Sequence, residues 1–172
     1  MPSDGFPASP DAPTLLEGAF DGRSAFQQLM RDALASAARE GWREIILCDA
    51  SFDDWPLGER AVVESLNAWS KTGRSFTLLA KRYEGFGERL ARFVTWRGRW
   101  SHIISAHAVP SADALEMPSA IYSPHWVMHR IDPVHCKGIA SHDAQRRVAL
   151  REEIDAWLHK SSPAFAATTL GL

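Results

Sequence analysis

EIILC, residues 44–48, is the run on which the reading of the fold turns. Its apolar residues follow one another instead of alternating with polar ones, the pattern of a strand covered on both faces. On its N-terminal side, Phe26, Leu29, Met30, Ala33, Leu34, Ala37 and Ala38 are spaced by threes and fours between Ser24 and Glu40, which predicts an amphipathic helix ended by Gly41. Further out, TLLEGAF from Thr14 reads as a strand broken by Asp21-Gly22. On the C-terminal side, Pro56 suits the first turn of a second helix bearing Val62, Leu66 and Trp69, and SFTLLA from Ser75 to Ala80 is the next strand. Phe86, Leu90, Phe93 and Val94 place a third helix between Gly85 and about Trp100, followed by SHIISAHAV as a strand and a loop over Pro110 to Pro118. AIYSPHWVMHRI, from Ala120 to Ile131, reads as one strand weakened in its first half by Pro124, and CKGIAS as a short sixth. A last helix runs from about Ala144 to Lys160, with Asp143 as N-cap and Val148, Leu150, Ile154, Trp157 and Leu158 as apolar positions. Three strand–helix alternations before a β-rich section predict an α/β single domain, a mixed β-sheet flanked by helices on both faces.

With 172 residues, 45% of them hydrophobic and 23% charged, the chain has the size of one domain with one sizeable core. Pro2, Pro7, Pro10 and Pro13 among small polar residues mark 1–13 as a disordered tail, 14–160 is the folded domain, and 161–172 is an apolar C-terminal tail in which Phe165 and Leu170 favour docking. No uncharged apolar run approaches the roughly 18 to 20 residues of a membrane span, and the first residues lack a signal peptide's basic and apolar regions. Cys48 and Cys136 are too few for a disulfide framework, so both are expected as thiols in the cytoplasm. A formal net charge of -2 argues against a dedicated nucleic-acid coat.

All seven histidines follow residue 100, and His125 and His129, four apart, would share one face of a strand. His135, Cys136, His142 and Asp143 lie near enough in sequence to be weighed as zinc or iron ligands, but neither finger spacing nor HExxH occurs, and no metal or cofactor is assigned. Asp49, Asp53, Asp54 and Glu59 follow the EIILC strand, where open α/β sheets place ligand groups; helix capping and solvation are the commoner fate of such acids. Neither GxGxxG nor a P-loop is present, and no serine has a GxSxG context. Between Lys71 and Arg99 eight basic residues face only Glu84 and Glu88. In the third helix Arg89, Arg92, Trp96 and Arg99 follow at three, four and three, so guanidinium groups would share a face with an indole, as in an anion-binding or single-strand-stacking surface.

PHWVMHRIDPVHCKGIAS, from Pro124 to Ser141, resembles the phospholipase D superfamily signature, in which HxK is followed by four residues, an aspartate, and a strand with a GS-type turn. His125 takes the histidine position, Val127 the lysine position, Asp132 the aspartate, and Gly138 to Ser141 the following turn. A second register starts at His135-Cys136-Lys137, with His142 where the acid belongs and Asp143 one residue late. ILCDASFDDWPLGERAVVE, WRGRWSH and FAATTLGL further resemble an uncharacterised proteobacterial domain with this fold, sometimes found beside acetyltransferase domains. The resemblance implies a phospholipase D-like half without its phosphate-neutralising lysine, a loss that removes a fixed charge from the transition state. The expectation is therefore a non-catalytic domain that binds a partner protein or a phosphate-containing anion through the basic band and the His-rich strand. The alternative is a phosphodiesterase working in a homodimer, with a phosphohistidine at His125, a general acid at His129 or an interface histidine, and Lys137 or an arginine in place of the missing lysine.

Overall fold

The computed structural model describes residues 14–167, so the predicted 1–13 tail and Leu170 lie outside the described residues. The chain opens with β1 (Gly18–Asp21) and α1 (Arg23–Glu40), then β2 (Glu44–Cys48), α2 (Arg60–Ser70) and β3 (Ser75–Ala80). Two short helices follow, α3 (Phe86–Arg89) and α4 (Ala91–Arg99), then β4 (Ile104–Ala108), β5 (Ala120–Tyr122), β6 (Val127–Asp132), β7 (Lys137–Ser141), α5 (Ala144–Lys160) and β8 (Ser162–Pro163). The strands form one sheet in the order β1-β7-β6-β5-β2-β3-β4-β8, with β2, β3 and β4 parallel and every other pairing antiparallel.

EIILC is central, as its composition requires. Ile45 and Leu47 join the layer under α1, α2 and α4, while Ile46 and Cys48 join the opposite layer under α5 and the 109–117 loop. Helix α1 ends where Gly41 adopts φ 67° and ψ 48°, letting the Trp42 N–H reach the Ala37 carbonyl at 3.1 Å, a left-handed cap that glycine enters without strain. At α5, the Asp143 carboxylate accepts the Arg146 N–H at 3.1 Å.

The structure departs from the sequence reading where side chains redirect the backbone. The single strand predicted from Ala120 to Ile131 is a hairpin of β5 and β6. Ser123 Oγ accepts the N–H groups of His125 and Trp126 and donates to the Trp126 carbonyl, closing a turn around Pro124. The third helix breaks at Leu90 (φ -128°, ψ 45°), which divides α3 from α4. Pro56 does not open α2: residues 49–59 form a loop whose Phe52, Trp55 and Leu57 are buried in the core, and the helix starts at Arg60. Of TLLEGAF only Gly18–Phe20 enter the sheet, although Leu15 is buried and the Leu16 carbonyl accepts the Trp126 indole N–H at 2.9 Å. Val148, expected on the apolar face of α5, is exposed. The segment read as a tail from residue 161 contributes β8 on the edge of β4, and Phe165 stacks on Tyr83 with ring centroids 5.1 Å apart.

Gly138 sits opposite Arg130 on β7, between β6 and β1. A Cβ there would overlap the His129 carbonyl oxygen and approach the Phe20 ring and the Arg130 Cα to 2.7 and 2.8 Å. Gly138→Ala is expected to cost at least about 2 kcal/mol, read as a lower urea midpoint with an unchanged slope.

Candidate functional site

The β6–β7 hairpin carries the signature residues, and the structure distributes them over both of its ends. His125 lies in the β5–β6 turn, exposed, its ring centroid 6.0 Å from that of Trp42. Asp132 closes β6 at the other end, so the strand separates the two by roughly 20 Å at the usual rise per residue. Val127 is 3% exposed within the apolar layer under α5, so the position of the lysine is core. Asp132 faces Lys137 in the ladder, yet its carboxylate accepts the His135 N–H at 3.1 Å and pairs with His135 Nδ1 at 2.8 Å, contacts that lower its pKa. The Lys137 ammonium instead lies 3.8 Å from Asp21. His129 faces α5, and burial lowers its pKa against a smaller opposing pull from Glu153. Within one chain, His125, Asp132 and Lys137 therefore do not converge. His125 and His129 do not share a strand face either, because Pro124 puts His125 in the turn.

The second register is scattered in the same way. His135 is held by Asp132 and Cys136 is buried, while Asp143 caps α5. His142 Nδ1 lies 3.0 Å from Glu17. Glu17 also accepts Ser141 Oγ–H and the His142 N–H, each at 2.6 Å, and these contacts bring its carboxyl from 4.5 down to about 2. Among the described residues no group of three or more His, Cys, Asp or Glu side chains is arranged to hold a metal ion. The acids after β2 each meet a guanidinium instead: Asp49 and Asp54 meet Arg130, Asp53 meets Arg89 and Glu59 meets Arg31.

The basic band is also rearranged. Trp96 is 1% exposed, its indole N–H donates to Ser70 Oγ at 2.9 Å, and its ring packs against Phe76 and Phe93. It offers no stacking face. The break at Leu90 turns Arg89 toward Asp53, 3.0 Å away, and off the face of α4. Arg92 and Arg99 remain exposed and line a groove of about 430 Å³ between α2 and α4. Arg60 of α2, which sequence spacing had no means of placing beside them, is the third cation of this groove, and Glu64 is its one carboxylate.

Sequence reading also missed Arg130, a single arginine in a strand. Its side chain is buried, donating to Asp49 at 3.1 Å and forking onto both oxygens of Asp54 at 2.5 and 3.1 Å. Its Nε donates to Ser119 Oγ, its Nη1 lies 3.4 Å from Cys136 Sγ, and the Phe26 ring centroid stands 4.1 Å from its central carbon. Asp49 in turn accepts the N–H groups of Ser51 and Phe52, which bends the chain out of β2. Burial works to lower the Arg130 pKa, but the hydrogen bonds and charges of Asp54 and Asp49 prevail and raise it.

Two solved structures share this architecture. The archaeal chromatin protein TrmBL2, whose structure is described as showing a novel mode of DNA binding, matches with a TM-score of 0.64 at 12% identity over 94% of this chain and 57% of that one. Nuc from Salmonella typhimurium, a phospholipase D family member, matches with a TM-score of 0.54 at 10% identity over 85% of this chain and 97% of that one. The chain thus spans a little over half the length of the chromatin protein. No protein-family model and no curated protein matches the sequence. At these identities the likeness establishes the fold: a single-domain, phospholipase D-like α/β architecture. No helix among the described residues is long and apolar enough to cross a membrane.

Two expectations follow from the polar contacts. Arg130→Met strands two carboxylates at the end of the sheet and is expected to lower stability by about 3 kcal/mol or more, measurable by urea unfolding. Because the folded pKa of Glu17 lies below its unfolded value, its contribution is present above about pH 4.5 and lost as pH falls toward 2. Glu17→Gln should therefore flatten the decline of the unfolding midpoint between pH 5 and pH 2, and parallel curves for the two proteins would refute this assignment.

Proposed function

We propose that this chain is a non-catalytic phospholipase D-like domain that binds a phosphate-bearing ligand in the groove between α2 and α4. The observation that carries the reading is the convergence of Arg60, Arg92 and Arg99 on that groove against the one carboxylate of Glu64. Guanidinium groups match phosphate oxygens in geometry, and three of them around one groove make a local positive site on a chain whose net charge is -2. The DNA binding stated for the chromatin protein of the same fold is consistent with a phosphate-bearing ligand. Absence of catalysis is supported by Val127, whose buried apolar position has no room for a solvated cation beside a reacting phosphate. The reading places the protein in the cytoplasm, where the free thiols of Cys48 and Cys136 stay reduced.

One observation favours the second reading, a phosphodiesterase acting through His125 in a homodimer. The exposed His125 stands at the same end of the hairpin as His142, where Arg147 donates to the Pro124 carbonyl, so a second copy would add a second set of these groups.

The two readings separate in one experiment. A labelled oligothymidylate and labelled pyrophosphate are titrated by fluorescence anisotropy across salt concentrations, with hydrolysis of bis(p-nitrophenyl) phosphate followed in parallel. With up to three phosphates engaged, the logarithm of the oligonucleotide affinity should fall with the logarithm of salt at a slope of about -2. Arg92→Ala with Arg99→Ala should weaken binding at least about tenfold and shrink the slope to about -0.7. Preference for pyrophosphate would assign a small ligand, and preference for the oligonucleotide a nucleic acid. Affinity and slope unchanged in the double variant overturn the groove, and hydrolysis abolished by His125→Ala installs the phosphodiesterase.

A further inference from the structure

Outside the carboxyl end of β2, away from both the His125 turn and the arginine groove, lies a cleft of about 370 Å³. One wall is the loop that leaves β2 through Asp49 toward α2. The facing wall is the 114–119 loop that leads into β5 from the opposite layer of the sheet, and β6 with the turn after it closes the side. The cleft thus lies outside the carboxyl end of β2, beside the start of β5 and the end of β6, and open α/β sheets form ligand crevices outside the carboxyl ends of their strands.

The rim is apolar in a way that the fold itself does not require. Leu115, Ile131 and Val134 are 76%, 63% and 75% exposed, and all three line this cleft. Among the described residues the only other large apolar side chain so exposed is Val148 on α5. Scattered exposed apolar residues are ordinary, but three gathered around one concavity hold apolar area in water where a ligand would cover it. The charged part of the lining has the opposite character. Asp49, Asp53, Asp54, Glu116 and Glu153 line the cleft against Arg23 and Arg130. The charge of Arg130 is met by Asp49 and Asp54, and Asp53 pairs with Arg89. Glu116, Glu153 and Arg23 enter no salt bridge among the described residues, and five carboxylates against two guanidinium groups in the lining leave the cleft with negative charge to be matched. His129, whose pKa burial lowers, adds a ring nitrogen to the wall.

We infer that this cleft binds a small amphipathic cation, an amine or guanidinium compound whose apolar body packs on Leu115, Ile131 and Val134 while its charged head meets Glu116 and Glu153. The volume falls in the range of small-molecule sites, which supports a free small molecule as the occupant. The buried Arg130–Asp49–Asp54 cluster fixes the floor, and Arg130 Nε, donating to Ser119 Oγ at 3.0 Å, ties that floor to the end of the facing loop, so part of the cleft is formed before the ligand arrives.

The test uses the full chain and three probes of equal shape, phenethylamine, phenethyl alcohol and phenylpropionate, titrated by calorimetry and mapped by saturation-transfer NMR. Phenethylamine should bind at least about tenfold more tightly than either of the others, the discrimination expected of a charge-assisted contact. Leu115→Ser with Val134→Ser, both on exposed positions that leave the core intact, should weaken all three probes about equally. Glu116→Gln with Glu153→Gln should reduce the amine to the affinity of the alcohol while leaving the urea midpoint unchanged. The Arg92→Ala, Arg99→Ala protein should bind phenethylamine as the parent does, which keeps this site separable from the phosphate groove. Preference for phenylpropionate, no saturable binding of any probe, or binding of a lysine-rich peptide without binding of the free amine each overturns the assignment.

Discussion

The Arg130 guanidinium, closed in by Asp49, Asp54 and the Phe26 ring, is the contact on which the arrangement of the other parts depends. It joins β6 to the loop after β2 and, through Phe26, to α1, and the turn bearing Cys136 packs against it. A lone buried guanidinium would cost far more than any single contact returns, so the cluster is stable only with both carboxylates in place and their remaining lone pairs occupied. Asp49 meets that condition by accepting the Ser51 and Phe52 N–H groups, which is also what turns the chain away from β2 and buries Phe52, Trp55 and Leu57. The loop geometry and the ion pairs are thus one structure. Either without the other would leave unsatisfied charge or unpaired backbone at the end of the sheet.

The β6–β7 hairpin shows that a shared fold does not by itself bring the residues aligned with a signature together. Its two strands, the turn between them and the helix that follows stand in the order of a phospholipase D-like fold, and the chain adopts that architecture. Residue 127 points into the layer under α5, where valine packs and a lysine would need a partner. The acid of the signature lies at the far end of β6, where it organises the β6–β7 turn through His135. The polar groups that do converge are elsewhere, in the arginine groove between α2 and α4 and in the cleft beyond β2, and those two differ in sign. The groove and the cleft thus present opposite charge at two separate places on the domain.

Much of the fold was legible because its causes are local. EIILC and SFTLLA are strands over the residues that their composition marks, α1 stops at the glycine that can turn left-handed, and α5 runs from the Asp143 cap to Lys160. Where the reading failed, a contact distant in sequence or a side chain folding back on its own backbone had redirected the chain. Ser123 closes a turn in what looked like one continuous strand, and Leu90 divides one helical pattern into two helices.

By itself the sequence determined the class of fold and the two apolar layers about a central strand, since each is written in residue type and period within a few positions. Tertiary structure alone decided which side chains meet. Arg130 reads as one more polar residue until it is brought to Asp49 and Asp54, 81 and 76 positions away. Trp96 reads as a stacking platform until Ser70 and Phe76 enclose it. Arg60 joins Arg92 and Arg99 only when α2 and α4 pack side by side. Periodicity states which face of an element is apolar; which charges meet across elements depends on packing and desolvation between distant segments, and no local pattern records that.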